Sequence, residues 1–89
     1  MEQKTIYETR NQVKEEVYKM VSDNFDIEYE NLTDKHHFER DLKADSLDSV
    51  ELVMRLEDKF DVKIADEDAA KLVTVGLVVD HLYTKLCKR

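Results

Sequence analysis

The sequence predicts an all-α fold, a small four-helix bundle with three longer helices and one short one. Apolar residues recur every three or four positions in three separate stretches, with charged residues between them. The 89-residue chain is 42% hydrophobic and 39% charged, which supplies one small core and no more. Its single cysteine provides no disulfide framework, so packed helices are the direct way to bury so few apolar side chains. A second core would leave each half too short to fold, and residues 1–89 are read as a single domain.

With one glycine and no proline, turns must be signalled by polar clusters and caps. Thr5 and Glu8 have the spacing of a capping box, and Ile6, Val13, Val17 and Met20/Val21 follow at helical intervals. The first helix is therefore expected over residues 5–22. Residues 23–44 hold no sustained period. Asp23, Asn24, Asp26, Asn31, Thr33 and Asp34 are turn formers there, while Phe25, Ile27, Tyr29, Leu32, Phe38 and Leu42 can pin the segment to the bundle. A connection of this length in a compact domain tends to be functional.

The second helix, Ser46 to Phe60, contains no breaker. Leu47, Val50, Val53/Met54, Leu56 and Phe60 recur every three or four residues, and Leu52 widens the stripe beyond what one side of an exposed helix needs. Asp61 to Ala65 reads as a loop anchored by Val62 and Ile64. Asp66 can cap a short helix from Glu67 to Leu72, and Thr74 can cap a last helix with the stripe Val75, Val78/Val79, Leu82 and Leu86. Lys85, Lys88 and Arg89 complement the dipole at its end.

Charge narrows the function classes. The net charge is −7, which argues against nucleic acid, whose phosphates are held by clustered Lys and Arg. Residues 41–68 hold ten Asp/Glu against four Lys/Arg, so nearly all the excess lies in the middle third. That pattern fits either a solvated helix face or a surface for a basic protein partner. No run approaches the roughly 20 apolar residues of a membrane span, and Met1–Thr5 lack the apolar core of a secretory signal. Cys87 fits a reducing compartment and a fraying terminal thiol. A cytoplasmic protein is expected, or one of an organelle matrix or stroma after loss of a presequence. No heptad seam persists, so a monomer is expected.

The informative stretch is Asp41-Leu42-Lys43-Ala44-Asp45-Ser46-Leu47-Asp48-Ser49-Val50-Glu51-Leu52. Asp45 can serve as N-cap with Asp48 reaching back from three residues on. Ser46 then falls in the first turn with its hydroxyl unused, at the helix end that favours an anion. Alternatively Ser46 is itself an ordinary N-cap. A calcium loop starting at Asp41 fails, because Lys43, Ser46 and Leu52 stand where a ligand, glycine and glutamate are required. His36 and His37 are adjacent and do not share the i, i+4 face of a helical metal site, so they are expected to be exposed loop histidines. A hydrolase elbow needs glycines around its serine, and Ser46 has none.

Asp45-Ser46-Leu47, preceded by Asp41-Leu42 and followed by Asp48, Val50-Glu51-Leu52 and Met54, resembles the phosphopantetheine attachment motif of acyl carrier proteins. The similarity extends from about Phe38 to Leu82, through Glu57, Phe60, Ile64-Ala65-Asp66-Glu67 and Val73-Thr74-Val75. It is closer to the stand-alone type used in fatty-acid synthesis than to a domain of a megasynthase. The resemblance implies an acyl-carrier-like bundle without catalysis of its own. It implies a 4′-phosphopantetheine arm placed on Ser46 by a separate phosphopantetheinyl transferase, with acyl chains held as thioesters on the arm and sheltered between the helices. It maps Asp45, Asp48, Glu51, Glu57 and Asp58 as acidic contacts, and Leu47, Val50 and Met54 as apolar contacts, for fatty-acid-synthesis enzymes with basic docking patches. For the three apolar residues the other reading is core packing, although Leu52, Leu56 and Phe60 can supply the core without them.

The sequence departs from the family pattern at four positions. Lys43 stands where glycine is usual, Ala65 replaces a common proline, Arg55 adds a positive charge to the second helix, and Gly76 occupies the start of the last helix. Two rivals follow: a carrier for a polyketide, an amino acid or a specialised lipid, and an acidic helical interaction module that bears no prosthetic group.

Overall fold

The structure, a computed structural model, describes residues 9–87, of which Cys87 is described by its backbone alone. Four α-helices occur among them: α1 (Arg10–Phe25), α2 (Ser46–Phe60), α3 (Asp66–Ala69) and α4 (Val75–Cys87), with a 3₁₀ turn at Tyr29–Asn31 and no strand. The all-α bundle of three longer helices and one short one is the fold that the sequence predicts.

Helix α1 starts later than expected. Its N-cap is Thr9, whose hydroxyl accepts the Gln12 N–H at 3.3 Å while the Gln12 carbonyl oxygen accepts the Thr9 N–H at 3.1 Å. Thr9 is in an extended conformation, so the turn that leads into Arg10 begins there. The expected box at Thr5 and Glu8, with Ile6, lies outside the described residues, as do Lys88 and Arg89. The far end runs on to Phe25 and closes on Asp26 in the left-handed region, whose N–H reaches the Ser22 carbonyl. An aspartate tolerates that conformation better than most residues and ends the helix.

One core joins the helices. Val13, Val17 and Val21 of α1, spaced four apart, are buried together with Leu52, Leu56 and Phe60 of α2 and Val75, Val78, Val79 and Leu82 of α4. The α1 stripe packs chiefly on α4. From the long connection, Leu32 and Phe38 are buried, and Ile27 and Leu42, with Phe25 at the end of α1, pack against the core at its edge. Tyr29 is exposed and holds the segment only through its ring, which meets Tyr18 of α1 edge to face, ring centroids 5.7 Å apart. Ile64 is buried and Val62 half-buried, anchoring the loop after α2 as expected.

The short helix differs from its expected span. Asp66 lies inside α3, and the N-cap is Ala65, which offers no capping side chain. Three carboxylates, Asp66, Glu67 and Asp68, fill the first turn and complement its positive end. Past Ala69 the chain tightens into i→i+3 turns, Lys71 N–H to Asp68 O at 2.9 Å and Leu72 N–H to Ala69 O at 3.1 Å, so the α-helix stops before Leu72. Helix α4 is capped as expected, with Thr74 Oγ1 accepting the Leu77 N–H at 3.3 Å.

The connection is tied to the start of α4 by backbone bonds. Phe38 N–H donates to Val73 O at 3.0 Å and Val75 N–H to His36 O at 3.0 Å, around an antiparallel bridge between His37 and Thr74. Gly76 N–H donates to Asp34 O at 2.9 Å. These pairings fix the segment that leads into Ser46.

Candidate functional site

Asp45, not Ser46, caps α2. Its carboxylate accepts the Asp48 N–H at 3.0 Å, and the Asp48 carboxylate accepts the Asp45 N–H at 3.2 Å. Two of the orphan donors of the helix start are thereby satisfied by acidic side chains at its positive end, and the N–H groups of Ser46 and Leu47 lie between them. Ser46 is left as the first helical residue, exposed, with a hydroxyl that has no hydrogen-bond partner among the described residues. Of the two roles open to Ser46, the capping role is the one the geometry removes.

The approach to Ser46 is built from unusual backbone. Lys43 has φ 59, the left-handed region that favours glycine. The kink is held from the next residue, where buried Ala44 donates its N–H to Phe38 O at 2.8 Å. Lysine therefore takes up the conformation that glycine would adopt without strain. The side chain of Arg55 points elsewhere, donating to the Asn24 side chain at the end of α1.

Helix α2 divides its apolar residues cleanly. Leu52, Leu56 and Phe60 are 3%, 0% and 4% exposed, whereas Leu47, Val50 and Met54 are 72%, 54% and 60% exposed. The second set is not core. A row of three large apolar side chains on one exposed helix face is the kind of patch that marks an interaction site. The acidic residues beside it are in different circumstances. Glu51 and Asp58 are exposed, and their carboxylates have no partner among the described residues. Glu57 is half-buried and accepts the Ile64 N–H at 2.8 Å, so it also holds the loop after α2. Asp45 and Asp48 share the cap described above.

A cleft of about 340 Å³ opens between α2, the α3–α4 junction and the 37–39 segment, and Ser46 is part of its lining. Its apolar walls include Leu52, Leu56, Leu72 and Val78. Its polar lining is confined to His37, Glu39, Ser46 and Ser49. A neighbouring groove of about 330 Å³ between α2 and α3 shares Ser49, Val53, Ala69 and Ala70 with it. The paired alanines keep this side of α3 thin.

His36 and His37 are half-buried, not exposed, and each Nδ1 is engaged. His36 Nδ1 accepts the Thr33 N–H at 3.0 Å. His37 Nδ1 accepts the N–H groups of Glu39 and Arg40, both at 3.2 Å, and the His37 N–H donates to Asp41 Oδ2 at 2.7 Å. His37 thus caps the single turn that precedes Lys43. Neither it nor Ser49 stands out in the sequence as part of the site. Among the described residues no cluster could hold a metal ion, and no helix is long and apolar enough to cross a membrane.

Comparison with known proteins agrees with this geometry. The family model described as a phosphopantetheine attachment site matches residues 15–82. The acyl carrier protein of an Exiguobacterium species is 46% identical over 78 residues, covering 88% of this chain and 99% of that protein. The acyl carrier protein of Chlorobium phaeobacteroides is 43% identical over 77 residues, covering 86% and 99%. The solved structure of the acyl carrier protein from Enterococcus faecalis superposes with a TM-score of 0.76 at 44% identity, covering 86% of this chain and 98% of that one. The stretch around Ser46, the split apolar faces of α2 and these matches over nearly the whole chain place it in the acyl carrier protein family, whose prosthetic group is 4′-phosphopantetheine.

Proposed function

We propose that Ser46 Oγ is the attachment point of the phosphopantetheine arm and that the chain carries acyl intermediates for fatty-acid synthesis in the cytoplasm. The observation that carries the reading is the division of labour at the head of α2: Asp45 does the capping, and the Ser46 hydroxyl is exposed and unbonded. When attached, the arm supplies a terminal thiol on which an acyl group is held as a thioester, activated for transfer.

The chain's own residues prepare, shelter and present. Ser46 Oγ forms the new bond to phosphorus as the bond to 3′,5′-ADP breaks, and its proton leaves to a base of the separate transferase. The unpaired N–H groups of the first turn of α2 favour the phosphodiester charge at that position. The apolar walls of the adjoining cleft suit an acyl chain, and burial there gains about 0.8 kcal/mol per methylene. Leu47, Val50 and Met54 form the apolar centre of a docking face, with Asp45, Asp48, Glu51, Glu57 and Asp58 around it. Carboxylates at such a rim speed encounter with Lys/Arg patches and make the association weak and salt-sensitive. The chain acts as a monomer and as one domain.

Intact mass decides the matter. The protein is incubated with coenzyme A and a broad-specificity phosphopantetheinyl transferase, with Ser46→Ala alongside. A gain of one arm in the parent and none in the variant is expected. A parent that gains no mass while a control carrier does overturns the attachment, and favours an acidic module that binds a basic partner.

A further inference from the structure

The cleft beside Ser46 is lined by one histidine, His37, whose imidazole differs from the serine hydroxyls of the lining in carrying its donor on a rigid ring. His37 lies in the same lining as Ser46, and its ring is not free to choose a tautomer. Nδ1 accepts two backbone N–H bonds, from Glu39 and Arg40, and an atom in that position carries no proton. The neutral imidazole must therefore carry its proton on Nε2. The ring is fixed further by its own backbone, which bonds Asp41 Oδ2 through N–H and takes part in the bridge to Thr74. Of the other polar residues of the lining, Glu39 is a carboxylate, which only accepts when ionised, and Ser49 is a hydroxyl on α2 that both donates and accepts and rotates to suit its partner.

A chain tethered at Ser46 and folding into this cleft brings amide and thioester carbonyl oxygens past the polar part of the lining, with hydrocarbon against Leu52, Leu56 and Leu72. A carbonyl taken out of water there needs a donor. We propose that His37 is a positioning residue for the arm, its Nε2–H donating to a carbonyl oxygen of the pantetheine or thioester group when the acyl chain is sheltered. This inference rests on the attachment at Ser46. It assigns His37 two tasks on its two ring nitrogens: Nδ1 caps the turn before Lys43, and Nε2 holds the cargo's polar end.

The two tasks can be separated by substitution. In His37→Ser the hydroxyl can still accept the N–H groups of the turn, as serine does at an N-cap, but it has no second donor at the imidazole's reach. The test uses full-length protein labelled with nitrogen-15 at histidine, in the apo form, with the bare arm, and with an octanoyl arm. Long-range proton–nitrogen correlation is expected to show the Nε2–H tautomer of His37 throughout. Its Nε2 proton should become slowly exchanging and shift only in the octanoyl form. In parallel, the octanoyl thioester of His37→Ser should react with hydroxylamine about five-fold faster than that of the parent, the population change for roughly one hydrogen bond lost, with the melting temperature nearly unchanged. An octanoyl form in which the His37 Nε2 signal matches the apo form, or a His37→Ser thioester as protected as the parent's, overturns the assignment and leaves attachment intact. A parent that accepts no arm overturns both.

Discussion

Gly76 and Asp34 touch so closely that a side chain at position 76 fits only if Asp34 moves. A Cβ built there would lie 2.7 Å from Asp34 Cβ and 3.0 Å from the Asp34 carbonyl oxygen. The contact is the close end of a clamp. Gly76 N–H donates to Asp34 O, Arg10 bonds Asp34 at 2.9 Å and Asp80 at 2.5 Å, and the Tyr18 hydroxyl donates to Asp34 Oδ1 at 2.5 Å. Helix α1, the long connection and the start of α4 are joined at Asp34, α1 through its carboxylate and α4 through its backbone carbonyl.

Gly76→Ala therefore sets two effects against each other. Alanine gains about 1 kcal/mol of helix propensity. Overpacking against the backbone of Asp34 costs about 1–3 kcal/mol, because the 34–38 segment is held on α4 by further bonds and cannot simply retreat. A net loss of stability is expected in urea unfolding. A midpoint at or above that of the parent would mean that the connection yields freely.

The same clamp gives stability a pH signature. Burial pushes the Asp34 carboxyl up, but the Tyr18 and Arg10 hydrogen bonds outweigh it, and its pKa falls below the ordinary 3.8. A lowered folded-state pKa means stability that is present above 3.8 and lost as pH falls through the folded value. Tyr18 is shifted the other way, well above its ordinary 10.0, by burial and by donating to Asp34, so its share is lost only in strong alkali. Tyr18→Phe should cost about 1 kcal/mol at neutral pH, toward the low side for a bond to a charged group because Asp34 is partly open to water. The deficit should shrink in acid below 3.8. Denaturant midpoints of both proteins across that range check it, and a deficit independent of pH would detach Tyr18 from Asp34.

Lys43→Gly should stabilise the protein. Among the described residues three non-glycine residues have positive φ, Asp26, Lys43 and Asp61, and the two aspartates close helices. Aspartate visits this region more readily than lysine, whose Cβ crowds the following carbonyl at about 1–2 kcal/mol. Glycine removes that cost but adds freedom to the unfolded chain, leaving an expected gain of about 0.5–1 kcal/mol. Thermal unfolding of Lys43→Gly beside Lys43→Ala separates the causes. A rise with alanine as large as with glycine would assign the gain to removal of the charge.

How much of this was legible depends on where each signal lies. Helix α2 could be read to the residue because its start is written in Asp45 and Asp48 and its stripe continues unbroken to Phe60. Its split into a buried and an exposed set followed from having more apolar side chains than a core needs. The start of α1 was also written, as Thr9 and Gln12, but the same spacing at Thr5 and Glu8 competed with it. The bounds of α3 were not written at all, since Ala65 offers no cap and the stop is made by backbone turns. The cleft was equally hidden. Its wall at His37 and Phe38 is set by backbone bonds to Val73 and Val75, more than thirty residues away, which leave no pattern in the side chains. Gly76 was the one visible trace of the clamp, an odd residue for a helix start until Asp34 is placed beside it.

The exposed and buried faces of α2 make opposite predictions for the same kind of truncation. Leu56→Ala removes a fully buried side chain from the centre of the core and should cost about 2–5 kcal/mol. Met54→Ala, two positions away on the exposed row, should leave stability within about 0.5 kcal/mol. Loading of the arm should reverse the order. A docking residue near the middle of an apolar patch loses about 1–2 kcal/mol of partner binding on truncation, so Met54→Ala should lower the kcat/KM of the transferase by about five- to thirty-fold. Leu56→Ala, assayed where it is still folded, should be loaded nearly as fast as the parent. Unfolding midpoints and initial loading rates on the same preparations test both halves. If Met54→Ala is loaded at the parent rate while its midpoint falls, Met54 belongs to the core and the docking face must be sought on other residues.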